Sequence, residues 1–417
     1  MERVIPASEL IINPDGSVFH LHIKPEMLVD NIILVGDPGR VDLVASFFDK
    51  KIHEVSSREF HTITGEYHGK PVMCVSHGIG ADNIDIVVNE LDALANVDFE
   101  TRTVKKNFRQ LSMVRIGTSG SIQEDIPVGS MVIARKALGI DGAFHFYKNS
   151  EKVRDIELED AFISQSGWKP IWNHPYIVDA DEELANRICC EGMVMGITIT
   201  ANGFYGPQGR ELRLEIADKN YGKMLSGFEY KGQRLTNFEM ESAMLQGLAK
   251  LMGHKAVTVC SIIAGRVSHT SNPNYKGSIG ELIQLVLNKL YNNNIMANKR
   301  QLKKYMKNMA ANLAGETVFI LNYYDGIDEA KANDVIDKIF NLLTEKINDV
   351  SVDFDKTCKD SFAGDRKAYR KARNAYYKAA YKKLYTDFTE GVSAVLKDMN
   401  ALLSKEQLEE NKRMANE

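Results

Sequence analysis

From Asn31 to about residue 296 the sequence alternates short β-branched runs with helix-spaced apolar patterns. This alternation restricts that part of the chain to a layered α/β fold. NIILVGDPGR reads as a buried strand over Ile32–Val35 ending in a tight Gly/Pro loop, and residues 41–48 then carry helical spacing. PVMCVSHGIG is a second strand ending in a glycine loop, followed by the helical pattern NIDIVVNELDALA. SMVRIGTSGSI, GSMVIARKALGI and MVMGITIT are further strands. NFEMESAMLQGLAKLMG is a strand end running into an amphipathic helix, AVTVCSIIAGR is a last buried strand, and IGELIQLVLNKLYNN closes the series as a helix. Folds of this kind place ligands at the loops that follow their strands.

Near residue 293 the pattern changes. NNN at 292–294 has linker composition, and beyond it glycine is scarce and helical spacing dominates. Residues 1–292 and 293–417 are therefore expected to be separate domains, the second an all-α bundle of three or four helices from 297 on. The 297–417 segment carries 22 Lys/Arg and 19 Asp/Glu, so its charge is about +3 against about −7 for the rest. Met296 opens a fresh basic stretch, which suggests a fusion of two reading frames. The overall charge of −4 shows no nucleic-acid footprint. The five cysteines fit no zinc or disulfide framework and are expected to be reduced and mostly buried. No leader or membrane span is visible, so the cytoplasm is the expected compartment. Residues 366–385 are basic with interleaved tyrosines. They are expected to form an amphipathic helix with Tyr377, Tyr381 and Tyr385 on its packing face, rather than a nucleic-acid surface.

Four segments carry chemistry. Gly36-Asp37-Pro38-Gly39-Arg40 and Arg115-Ile116-Gly117-Thr118-Ser119-Gly120 pair glycine turns with an arginine. Glycine lets backbone N–H groups approach an anion, and the guanidinium fork matches phosphate oxygens. Neither segment is a triphosphate-binding P-loop. In Asn237-Phe238-Glu239-Met240-Glu241-Ser242, two carboxylates at i and i+2 point the same way along a strand and can accept from two adjacent ribose hydroxyls. In Phe204-Tyr205-Gly206-Pro207-Gln208-Gly209-Arg210, the amide and guanidinium can read a pyrimidine's imide edge while an aromatic ring stacks on the base. Each segment alone is equally open to a bland account as a turn, a structural ion pair or a charged helix start.

Taken together, VFHLHI, ILVGDPGRV, SSREF, SHGIG, VRIGTSGSI, FYGPQGR and NFEMES resemble, in order, the phosphate-dependent nucleoside phosphorylases with the purine/uridine phosphorylase fold. Within that family the uridine phosphorylases are the nearest match. The resemblance covers most of 18–292. It implies a three-layer α/β/α sandwich around a central mixed sheet, and dimers that can assemble into hexamers. It implies phosphate binding by Gly36, Arg40, Arg115 and Thr118, with Arg58 added from the neighbouring subunit. His20 would reach the ribose across the same interface. Met240 and Glu241, with Glu239 beside them, would hold the ribose, and Thr118, Ser119 and Gly120 would line the nucleoside. Phe204, Gln208 and Arg210 would hold the base. Arg40, Arg115, Gln208, Arg210 and Glu241 form the implied catalytic set.

The implied reaction is phosphorolysis of uridine to uracil and ribose 1-phosphate, with phosphate as co-substrate and no cofactor. Purine-cleaving relatives place an aspartate after the last strand, whereas Ser261–Arg266 here has no carboxylate. A purine phosphorylase or nucleosidase of the same fold, or an inactive nucleoside-binding module, are the competing outcomes. Deoxyuridine or thymidine remain alternatives to uridine. Glu59 matches one ligand of an interface cation seen in some members, but Asn83 replaces the serine that would be its second, so the set is incomplete. Residues 96–112 form a longer connection than compact members carry.

Overall fold

A computed structural model of the chain describes residues 3–272, 275–291, 299–362 and 365–414. The chain divides into two units, Met1–Asn293 and Asn294–Glu417. The linker expected at 292–294 and the fresh start at Met296 fall outside the described residues.

The first unit is organised by one 12-stranded mixed sheet. Its main strands are β1 (Asn31–Val35), β2 (Lys50–Ser57), β3 (Phe60–Tyr67), β4 (Lys70–Ser76), β5 (Ser112–Ser121), β6 (Met131–Gly139), β7 (Tyr176–Asp179), β8 (Val194–Thr200), β9 (Gln233–Glu239) and β10 (Lys255–Gly265). The helices are α1 (Pro38–Ala45), α2 (Ala81–Asn96), α3 (Ile156–Ser166), α4 (Glu182–Ile188), α5 (Tyr221–Ser226), α6 (Ser242–Met252) and α7 (Tyr275–Tyr291). The strand order is β9-β8-β6-β10-β5-β1-β4-β3-β2. β1 runs parallel to β4 and β5, and β10 runs parallel to β5. β9 also pairs with β5 through Asn237↔Ser121 and Phe238↔Gly120, so β5, β10, β6, β8 and β9 close into a ring.

β1 shows why the sheet must be covered twice. Ile32 and Leu34 pack with α2 and α6, while Ile33 and Val35 pack with α1, α4 and α7. Successive side chains of a strand face opposite ways, so a run of four fully buried apolar residues requires helices on both faces. Each buried Ile or Leu stabilises the sandwich by about 1.5–3 kcal/mol. The result is the three-layer α/β/α arrangement.

Helix α1 starts three residues earlier than the apolar spacing suggests. Asp37 caps it by accepting from the Gly39 N–H at 2.9 Å, and Pro38 takes the first turn, where no backbone donor is needed. The β2–β3 hairpin has no counterpart in the sequence reading. β2 is largely exposed, and its turn uses Arg58 at φ +53° instead of glycine.

The second unit consists of α8 (Lys299–Tyr323), α9 (Glu329–Asp349), α10 (Cys358–Phe362), α11 (Arg366–Asn400) and α12 (Lys405–Met414). Among the described residues, three long helices and two short ones stand where three or four were expected. Ala310, Leu313, Ile320, Val335, Ile339, Val395 and Met399 form its main core. On α11, Tyr377 stacks on Tyr381 with ring centroids 6.1 Å apart. Tyr381 donates to the Val350 carbonyl and continues into buried Leu384 and Phe388, as a packing face does. The side chain of Tyr385 lies outside the described set.

All five cysteines are free; Cys74 and Cys260 are fully buried, and Cys189, Cys190 and Cys358 are half-buried. Among the described residues no helix is long and apolar enough to cross a membrane.

Candidate active site

The chemistry-bearing segments converge where β1, β4, β5, β8, β9 and β10 end. Arg115, on β5, is 4% exposed and sits at the centre. Its Nη1 lies 2.9 Å from Glu239 Oε2, and its Nη2 donates to Glu241 Oε2. Its Nε lies 3.2 Å from His77 Nε2, and Nη1 also approaches Cys260 Sγ at 3.7 Å. A guanidinium has five N–H donors, so one N–H on Nη2 remains for a ligand. Two carboxylates flank one guanidinium in a buried position. Burial, opposed by Arg115 and assisted by Glu239, holds the Glu241 carboxyl above its ordinary range.

The two carboxylates have different surroundings. The strand ends at Glu239 and the helix begins at Ser242, so the extended i, i+2 geometry expected for Glu239 and Glu241 does not persist. They still meet on Arg115. Glu239 accepts from Thr200 Oγ1 at 2.6 Å and from the backbone N–H groups of Glu241 and Ser242 at 3.0 Å, besides Arg115. It caps α6 and clamps Arg115, which occupies the lone pairs a ribose would need. Glu241 accepts from Gly80 N–H, at 2.8 Å, and from Arg115, with the Met240 backbone N–H also directed at it. It keeps acceptor capacity toward a sugar, with half-buried Met240 beside it.

Arg40 projects from α1 and donates to the Ile116 carbonyl at 3.3 Å, one residue beyond Arg115. Burial and then the nearby Arg115 charge lower its affinity for its proton. Two cations held this close, with Gly36 and half-buried Thr118 alongside, suit an anion. Gly117 must be glycine for a steric reason: a Cβ there would lie 2.6 Å from Arg115 Nη1. Gly117→Ala is therefore expected to displace the guanidinium, lowering activity and costing about 1–3 kcal/mol of stability. Steady-state kinetics and urea melts of the variant check this.

The second half of the site is the loop after β8. Gln208 is buried, and Arg210 Nη1 donates to Gln208 Oε1 at 2.5 Å and to the Phe204 carbonyl at 2.6 Å. The Arg210 guanidinium lies 3.7 Å from the centre of the half-exposed Phe204 ring. Arg266, just past β10, ties this loop to the sheet. Its backbone N–H donates to Ser121 O at 2.8 Å, its Nη2 donates to Gln208 O at 2.9 Å, and its stem lies against Gly120. Its Nη1 is buried without a hydrogen-bond partner. Burial, and then Arg266, pull Arg210 down to about 10, so it stays charged at neutral pH.

A continuous chain of contacts thus runs from Arg40 through Arg115 and β5 to Arg266, Gln208 and Arg210. A cavity of about 780 Å³ abuts this loop, lined by Tyr205, Pro207 and Arg210 together with Trp168, Trp172 and Tyr221. Ser119 is buried on β5, its hydroxyl beside the Cys260 thiol.

His20 and Arg58 stand apart from this centre. His20 Nδ1 lies 2.6 Å from Glu90 Oε1, and exposed Arg58 lies 5.7 Å from the Phe19 ring centre. Among the described residues, neither makes a hydrogen bond or ion pair with Arg40, Arg115, Gln208 or Glu241. Glu59 and Asn83 both crowd Gly78. His77 and Arg266 are members of the arrangement that the sequence reading did not include. Arg266 follows a strand-end glycine, the same signal that marked Arg40, whereas His77 carries no comparable mark.

Residues 30–290 match the family model described as the Phosphorylase superfamily. The uridine phosphorylase of Thermococcus kodakarensis is 31% identical over 257 residues, covering 61% of this chain and 80% of that protein. The uridine phosphorylase of Escherichia coli K12 is 30% identical over 260 residues, covering 60% of this chain and 87% of that protein. Among solved structures, a Trypanosoma brucei nucleoside phosphorylase described as showing uridine phosphorylase activity superposes with a TM-score of 0.61 at 28% identity, over 67% of this chain and 99% of that one.

Proposed function

The chain belongs to the phosphorylase superfamily, and from that premise we propose that its first unit splits uridine with inorganic phosphate, giving uracil and ribose 1-phosphate. The observation that carries this reading is the contact chain linking an arginine-lined anion position to a glutamine–arginine base position across a single strand, β5.

The reaction is a pentosyl transfer. Phosphate rests against Gly36, Arg40, Thr118 and the remaining N–H of Arg115. Glu241 and Met240 hold the ribose, so that phosphate meets C1′ in line with the departing base. As the bond to the base stretches, the sugar gains oxocarbenium character. The phosphate dianion and the buried carboxylate offset that positive charge. The electron pair leaves with uracil, and negative charge grows on its carbonyl oxygens. Arg210, with Arg266 behind it, and the Gln208 amide are already fixed where that charge develops. Phe204 covers the ring.

Two guanidinium groups on the base side, with no carboxylate in Ser261–Arg266, favour a pyrimidine anion over a purine that must be protonated. His20 and Arg58, unattached to their own centre, fit completion of a second copy's site across a dimer interface. A panel of uridine, deoxyuridine, thymidine and inosine with phosphate tests the assignment. Uridine should give the highest kcat/KM, and preference for inosine would overturn the pyrimidine assignment. For the second unit, a separate helical domain joined near Met296 is the reading that the break in composition supports. Soluble, active protein from residues 1–295 alone would agree with it.

A further inference from the structure

His77 follows β4 and is fully buried. Its backbone N–H donates to Val35 O at 2.8 Å, which anchors it beside the end of β1. Its ring edge faces the anion loop: a Cβ on Gly36 would lie 3.7 Å from His77 Cε1. On its other side, Nε2 lies 3.2 Å from Arg115 Nε. A guanidinium can only donate, so Nε2 accepts and the ring proton resides on Nδ1. The Gly78 backbone carbonyl favours a proton on the ring.

The contact completes a three-sided grip. Glu239 and Glu241 hold the Nη end of Arg115, and His77 holds the Nε edge. With both ends fixed, the plane of the guanidinium and the direction of its last free N–H are fixed as well. We propose that His77 is a positioning residue for the anion subsite, a neutral acceptor that orients Arg115 toward phosphate. The proposal rests on the reading that Arg115 serves phosphate.

The charged groups around the ring suit this role. Burial opposes a further proton on it most strongly, Arg115 on β5 and Arg40 on α1 add to that, and the Gly78 backbone carbonyl opposes them; the balance keeps the imidazole well below its ordinary range. Glu239, Glu241 and Cys260 lie on the far side of Arg115 and are engaged with it. Glu59 lies beyond Gly78. A proton on Nε2 would replace the acceptor with a donor facing another donor, and the grip would open.

The test compares His77→Leu, which removes the acceptor, with His77→Gln, whose Oε1 can occupy the place of Nε2. Phosphate affinity of the full-length chain is measured by calorimetry, without nucleoside, beside the thermal midpoint and the steady-state constants. His77→Leu should weaken phosphate binding by at least about tenfold, the scale of a hydrogen bond to a charged group. His77→Gln should stay within about threefold of the parent. Parent-like phosphate affinity in the Leu variant, or a Gln variant no better than Leu, overturns the proposal. Should the Leu variant fail to fold, His77→Asn takes its place, since the shorter side chain does not reach Arg115 Nε; an Asn variant equal to Gln overturns the proposal. A parent chain that binds phosphate yet leaves uridine intact contradicts the functional reading alone, and one that binds no phosphate contradicts both.

Discussion

Replacement of Arg115 by methionine is expected to abolish measurable turnover and to cost about 3–5 kcal/mol of folding stability at neutral pH. The size follows from what is left behind. Glu239 and Glu241 are both buried, and Arg115 is the cation they share. Removing one partner of a buried ionic cluster leaves charge in a low-dielectric site without compensation. The loss should also depend on pH. Burial already raises the Glu241 carboxyl, and Arg115 is the group that opposes the rise. Without it, the native pKa climbs further above the unfolded value of about 4.3. A carboxyl raised in the folded state contributes stability that is fully present below the unfolded pKa and is lost as pH rises through the folded one. The variant's deficit against the parent should therefore be largest near pH 8 and shrink toward pH 5. Urea melts of both proteins at the two pH values measure it, and an equal deficit at both would contradict the buried-carboxylate account.

Arg210→Ala is expected to lower kcat for uridine by about 10²–10³, the range for loss of one preorganised donor to a developing anion. Phosphate affinity should be unchanged, because Arg210 contacts Gln208 and Phe204, whereas the proposed anion position belongs to Arg40 and Arg115. The variant also frees the Gln208 carbonyl oxygen from its present donor, so the KM for uridine should rise as the amide loses its orientation. Turnover close to that of the parent would remove Arg210 from the leaving-group position. A large loss of phosphate affinity would show that the two halves of the site are not separable in the way their contacts imply.

The layered fold was legible in the sequence because its signals are local. NIILV reads as a buried strand, while the helix after it is placed three residues late because Asp37 and Pro38 read as loop residues. The hairpin of β2 and β3 was not legible. Its first strand is polar and exposed, and a non-glycine residue at positive φ makes the turn, so neither alternation nor turn chemistry signals it. Closure of the ring between β9 and β5 depends on pairing between residues more than 100 positions apart, which no short window contains.

The arginine and glycine loops of the site were readable because anion binding needs those residue types. The division of labour between Glu239 and Glu241 was not, since it depends on the strand ending at Glu239 and on Thr200 and the α6 backbone claiming that carboxylate. His77 escaped for a similar reason. A buried histidine is recognisable only once the guanidinium it touches is in place.

The most direct test of the account follows uracil release from uridine as inorganic phosphate is raised from zero, with sugar products identified at each point. The account predicts no release without phosphate, a saturable rise with it, and one ribose 1-phosphate formed for each uracil. Uracil released at a rate independent of phosphate, with free ribose as the product, would contradict it, as would no release at any phosphate concentration.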